Sequence, residues 1–216
     1  MGRTSTNPVV YHSYTISSNE FYRCWCECRR LYDVCSFVRS ISSNVFNRIR
    51  KAVQIEKLED KVVLFPNAIY LESGKYLRIK SDPFNVGSQA IVPENALNGT
   101  NNDPYIVKTM RFDDILPVLK ANNIRNAIMK VDIQWSEAFL CLTGNQTFDY
   151  VNIPVVLMEW DPVPHHRQRM KIVIDYFTAR GYTPTVDLCK ILNISQAFQS
   201  WPGDMFWIKL NQSEIC

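Results

Sequence analysis

Apolar and polar positions change period several times along these 216 residues. Val62-Val63-Leu64-Phe65 is an unbroken apolar run closed by Pro66-Asn67, and reads as a strand over 62–66. Before it, Val45, Ile49, Ala52 and Val53 recur at helical spacing behind Ser42-Ser43-Asn44. Arg48, Arg50 and Lys51 fall on the other faces, so the spacing predicts a helix over 44–58. Ala68 to Leu71 and Tyr76 to Lys80 flank Ser73-Gly74 and read as a hairpin. Residues 81–104, rich in Asn, Gly, Pro and Ser, read as a long loop. Tyr105 to Met110 reads as a strand. Asp113-Asp114 then start a helix over 113–121, in which Pro117 fits only within the first turn.

The second half alternates more regularly. Strands are predicted over 126–132, 154–159, 183–187 and 205–209, and helices over 136–145 and 166–180. Met170, Val173, Ile174 and Phe177 make a helical stripe that Gly181 ends as C-cap. The central strands are apolar on both faces, and strand alternates with helix. Together these predict an α/β domain over 34–216, with a mostly parallel sheet and helices on both faces. Strand 126–132 should lie parallel to strand 154–159. Residues 1–33 read as an irregular amino-terminal extension or a degenerate first strand-helix unit, with a short strand at 8–12.

Composition narrows the functions. Apolar residues make up 46% and charged residues 21%, enough to bury a core. No run reads as a secretory leader, and none approaches the roughly 18–20 apolar residues of a membrane span. The net charge of +3 asks for no nucleic acid, and the Arg48, Arg50, Lys51 and Lys57 run reads as a solvated helix face. The seven glycines are so dispersed that no two lie within ten residues of each other, which excludes a G-x-G-x-x-G or Walker loop.

The seven cysteines are odd in number, so at least one thiol stays free in a monomer. Cys24, Cys26 and Cys28 are close enough to hold a soft metal, but no second pair at zinc-site spacing accompanies them. Packed thiols are the simpler reading, and no metal is assigned. Four Asn-x-Ser/Thr sequons, at Asn98, Asn145, Asn193 and Asn211, exceed what composition alone supplies and point weakly toward a secretory route.

In an open α/β sheet, ligands bind beyond the carboxyl ends of the strands. The polar residues expected there are Asn67, then Asp132, Gln134 and Glu137, then Glu159 and Asp161. They are acceptors suited to ribose hydroxyls, an amine or a metal. The competing reading makes the acids helix caps.

Residues 129–137, Met-Lys-Val-Asp-Ile-Gln-Trp-Ser-Glu, resemble the signature strand and turn of FkbM-type methyltransferases, Lys-Ile-Asp-x-Glu-Gly-x-Glu. Asn44 to Ala52 is similar to that family's Asn-x-x-Arg-Leu-Arg-Lys-Ala helix, and Leu64 to Gly74 to its Asn-Ala segment with a hairpin glycine. Phe112 to Leu116 is similar to its Leu-Asp-Asp-Leu helix start. Val155 to Asp161 is similar to its apolar strand ending in Glu-Trp or Glu-Leu. The resemblance spans about residues 37–209. It implies a class I, Rossmann-like methyltransferase sheet, here with an incomplete amino-terminal part. It further implies S-adenosylmethionine as cofactor and a small molecule, sugar or lipid as acceptor, usually at oxygen. By position, Asn67 and Ala68 would line the adenine side. Asp132 would face the methionine end of the cofactor or the acceptor, and Glu137 would support that turn, making Asp132 and Glu137 the catalytic candidates.

Three departures accompany the resemblance. The family's first strand leads into Gly-x-Asn-x-Gly, because glycine lets the backbone approach the cofactor. The matching stretch Val9 to Thr15 has none, with Ser13 and Thr15 where glycines are needed. Phe37-Val38-Arg39 stands where Phe-Glu-Pro supplies a ribose-binding carboxylate, a loss of about 1–3 kcal/mol, or one to two decades of affinity. Gln134-Trp135 replaces Glu-Gly in the signature itself. The expectation is weak or absent cofactor binding, and the alternative function is a catalytically inactive, methyltransferase-like interaction module.

Overall fold

A computed structural model describes residues 42–80, 90–91, 103–187 and 189–209, and the backbone of 34–38. The expectations for residues 1–33, for the bulk of 81–104, for the 9–15 loop and for the side chain of Val38 fall outside the described residues.

The larger sheet has six strands in the order β1 (Val34–Val38), β5 (Asn126–Val131), β6 (Asn152–Glu159), β9 (Asp204–Ile208), β7 (Thr183–Val186) and β8 (Lys190–Ile191). β1, β5 and β6 pair in parallel, with Val38 opposite Val131 and Val131 opposite Met158. Strands 126–131 and 152–159 are therefore parallel neighbours, as expected. The remaining pairings are antiparallel: β6 with β9, β9 with β7, and β7 with β8. The expectation of a mostly parallel, Rossmann-like class I sheet is thus corrected to a mixed sheet, antiparallel in three of its five pairings. The last of the described strands, β9, runs back between β6 and β7 and turns both of its borders antiparallel. Its burial is no guide to direction, because a central strand is apolar on both faces whichever way its neighbours run.

One face of this sheet carries the main core. Met129, Val131, Val156, Met158, Met205 and Trp207 pack with Met170, Val173, Ile174 and Phe177 of α5 (Arg167–Ala179). Phe139 and Leu140 of α3 (Glu137–Thr143) and Phe148 of α4 (Asn145–Tyr150) complete it. Of the described helices, α3, α4 and α5 share this one core. The helix α1 (Ser43–Ile55) instead packs Ile49 and Val53 on Val62 in a separate cluster. Alternate residues Ile128, Val155, Leu157, Phe206 and Ile208 are buried too.

Two local expectations shift. Val62–Phe65 is not a strand: Val62 makes a single bridge and packs against α1, and β2 starts only at Asn67–Ile69. The hairpin across Ser73-Gly74 does not close on itself either. β4 (Ile106–Met110) lies between β2 and β3 (Tyr76–Arg78), parallel to the first and antiparallel to the second. Thr109 holds the intervening turn: its N–H reaches the Lys75 carbonyl at 2.7 Å, and its hydroxyl donates to the Glu72 carbonyl at 2.6 Å. Gly74, at φ +86°, is left-handed there and donates to the Thr109 carbonyl.

The two aspartates after β4 divide their work. Asp114 caps its own 3-10 turn, Phe112–Ile115, by accepting from Arg111 N–H at 3.0 Å. Asp113 accepts from the N–H groups of Gln146 and Thr147 at 3.2 and 2.8 Å, and so caps α4 instead. Pro117 sits in the first turn of α2 (Leu116–Ala121) as required.

Candidate functional site

β5 and β6 end side by side, and both leave acidic residues at their carboxyl ends. After Val131 the chain passes through Asp132 and Ile133, makes a tight turn at Gln134-Trp135, and enters α3 at Glu137. Both turn residues are left-handed, Gln134 at φ +49° and Trp135 at φ +67°. That conformation costs a side-chain-bearing residue on the order of 1 kcal/mol. Trp135 stands where the resemblance has glycine, the residue for which it costs least.

The turn gathers the polar groups. Gln134 Nε2 donates to Asp132 Oδ1 at 3.2 Å and also to Glu159 Oε2, bridging the ends of β5 and β6. Lys130 Nζ lies 3.8 Å from Asp132 Oδ2, with both side chains largely covered. Trp135 Nε1 donates to Asp161 Oδ2 at 3.1 Å. Its ring stacks on His166 at 5.0 Å and 20°, and His165 lies against both rings. Burial, His165 and Arg169 push the His166 pKa down, against an opposing pull from Asp161.

Glu137 lies beneath this surface and is only 5% exposed. Its Oε1 accepts from Ile133 N–H at 3.4 Å, closing the turn from inside. Burial raises its pKa to about 7; hydrogen bonds from its own N–H and that of Ile133 oppose the rise, and the charges of Glu159 and Asp132 add to it. A carboxyl that exchanges its proton near neutrality suits proton transfer at physiological pH.

Of the expected site residues, Asp132, Gln134 and Glu159 are joined by direct bonds, Glu137 supports their turn, and Asp161 is tied in through Trp135. Asn67 and Ala68 are placed in the smaller sheet. Asn67 Nδ2 donates to the Lys108 carbonyl at 3.3 Å, and Ala68 is buried with Ile79 and Val107. That sheet touches the site region through Tyr70, whose ring meets Phe139 edge-on at 4.8 Å. Sequence reasoning missed Lys130, His165 and His166. The histidines were findable, since a segment leaving the end of β6 must cross the carboxyl ends of the strands to reach α5.

Comparison with known proteins finds no match: no family model, no curated protein and no solved structure. No helix among the described residues is long and apolar enough to cross a membrane. Among the same residues, no group of three or more His, Cys, Asp and Glu is arranged to hold a metal ion.

Proposed function

We propose that this chain is an S-adenosylmethionine-dependent methyltransferase of the FkbM type that acts on a hydroxyl of a small molecule, sugar or lipid. The observation that carries the reading is the turn after β5. Its backbone is left-handed at the position where the signature has glycine, although Trp135 occupies it. A glycine-type turn kept in spite of a bulky residue supports the match of residues 129–137 to that signature.

The donor set fits the cofactor's chemistry. Asp132 and Glu159, held together by Gln134, are carboxylates suited to a cationic, amine-bearing ligand. When bound, S-adenosylmethionine supplies an electrophilic methyl on a sulfonium. Asp132 accepts from the ligand's ammonium or from the acceptor hydroxyl. Glu137 holds the proton that the acceptor oxygen gives up, a task matched by its pKa of about 7.

A second reading is a non-catalytic interaction module. The observation favouring it is that Gln134 and Trp135 already bond Asp132, Glu159 and Asp161, which narrows the space for a ligand. Incubation with S-adenosylmethionine and a panel of polyols, sugars and lipid alcohols separates the two. The enzyme reading predicts S-adenosylhomocysteine above the acceptor-free rate, with the excess lost in Glu137→Gln. Absence of product with every acceptor, together with unaltered thermal stability in the cofactor, would leave the module reading.

A further inference from the structure

We propose that Asn193 is an N-glycosylated residue, and that this protein matures in an oxidising, secretory-type lumen. Asn193 opens the sequon Asn193-Ile194-Ser195, and all three residues are exposed. Its Oδ1 accepts from the Ser195 N–H at 3.0 Å and from the Ser195 hydroxyl at 2.9 Å, so the amide and the hydroxyl of the sequon are in direct contact. Among the described residues no hydrogen bond engages its Nδ2, the atom that glycosylation uses. The Trp201 indole N–H, at 2.9 Å, holds the Asn193 carbonyl and fixes the backbone beneath the turn.

An independent observation gives the compartment. Cys189, four residues earlier, is disulfide-bonded. Such bonds persist in secretory and extracellular settings and are rare where glutathione keeps thiols reduced. Asn-linked glycosylation operates in that same compartment. The surface has a use for the glycan as well. Among the described residues β8 is one of the two edge strands of the six-stranded sheet, its Ile191 is 54% exposed, and the neighbouring Ile194 is 45% exposed. An exposed apolar edge invites pairing with another chain, and a hydrophilic glycan at Asn193 covers it.

The other described sequon is built differently. Asn145 Oδ1 accepts from Arg180 Nη2 at 2.9 Å, while Thr147 is buried and gives its N–H to Asp113. Its amide oxygen is held by Arg180, and its hydroxyl is buried without touching that amide, so the proposal is specific to Asn193.

The transfer uses an oligosaccharide carried on a polyprenyl diphosphate. A bond forms between Asn193 Nδ2 and the anomeric carbon, and the bond from that carbon to the diphosphate oxygen breaks. The diphosphate leaves with the electron pair, and the amide nitrogen loses one proton.

The test uses the full chain isolated from the cells that make it. Peptide-N-glycosidase treatment in 18O-water converts a glycosylated Asn to labelled Asp, and trypsin then releases residues 191–209, in which Asn193 is the only asparagine. The expected result is 18O-Asp at 193, absent when the enzyme is omitted and absent in Ser195→Ala, with Cys189 resistant to alkylation before reduction. Recovery of the peptide with an unmodified Asn193, or alkylation of Cys189 without reduction, would overturn the proposal.

Discussion

Trp135 lies flat on His166, with ring centroids 5.0 Å apart and planes 20° from parallel, while its indole N–H reaches Asp161. A residue in a strained left-handed turn is thus held by contacts from the segment that follows the neighbouring strand. Replacement by glycine removes a strain on the order of 1 kcal/mol and a stacking contact of about 0.5–1.5 kcal/mol. We expect Trp135→Gly to leave stability within about 1 kcal/mol of wild type and to tighten S-adenosylmethionine binding. Denaturant melts give the first quantity and calorimetric titration the second. Weaker binding in the variant would make Trp135 a ligand contact.

Glu137 carries a pH signature. Its carboxyl ionises at about 7 in the folded chain, against 4.5 ordinarily. Below about 4.5 both states are protonated and no cost arises. Between 4.5 and about 7 the unfolded chain binds fewer protons than the folded one, so stability falls as pH rises. The total amounts to about 3 kcal/mol and is complete above pH ~7. Glu137→Gln keeps an oxygen for the Ile133 N–H and abolishes this component. Its Tm, compared with wild type, should therefore rise progressively from pH 4.5 to 8; a constant difference across that range would contradict the assignment.

Asp132→Asn separates a ligand contact from a structural cap. The amide retains an oxygen for Gln134 and loses the 3.8 Å pairing with Lys130, so stability should change by less than about 1 kcal/mol. Ligand-induced stabilisation should vanish. A lowered Tm with the ligand response intact would mark Asp132 as structural.

Gly144 joins α3 to α4 at a point of close approach. A Cβ there would lie 2.7 Å from the Leu140 carbonyl oxygen and 2.8 Å from Phe112 Cδ1. Gly144→Ala should cost about 1–3 kcal/mol, a fall in Tm of roughly 2–10 °C for a chain of this size. Gly181→Ala meets no such neighbour, but its φ of +80° should cost about 1 kcal/mol.

The strands β5, β6 and β9 and the helices α1 and α5 were legible because long apolar stripes of one period are hard to satisfy in any other way. The direction of β9 was not, since Met205 to Ile208 are buried whichever neighbour they face. Val62–Phe65 misled for a related reason: an apolar run can cover a helix as well as pair with a strand, and Val62 packs on α1 while making no more than a single bridge. At the site, acids at strand ends were predictable from topology alone. The bridge by Gln134 was not, because it depends on a left-handed turn that neither glutamine nor tryptophan advertises.

The most direct measurement is an isothermal titration of the purified chain with S-adenosylmethionine, run in parallel on Asp132→Asn. The account predicts weak but saturable binding, with Kd on the order of 10–100-fold above that of a site holding a ribose carboxylate, and none in the variant. Absence of binding to the wild type, or equal binding to both proteins, would contradict a ligand site at the ends of β5 and β6.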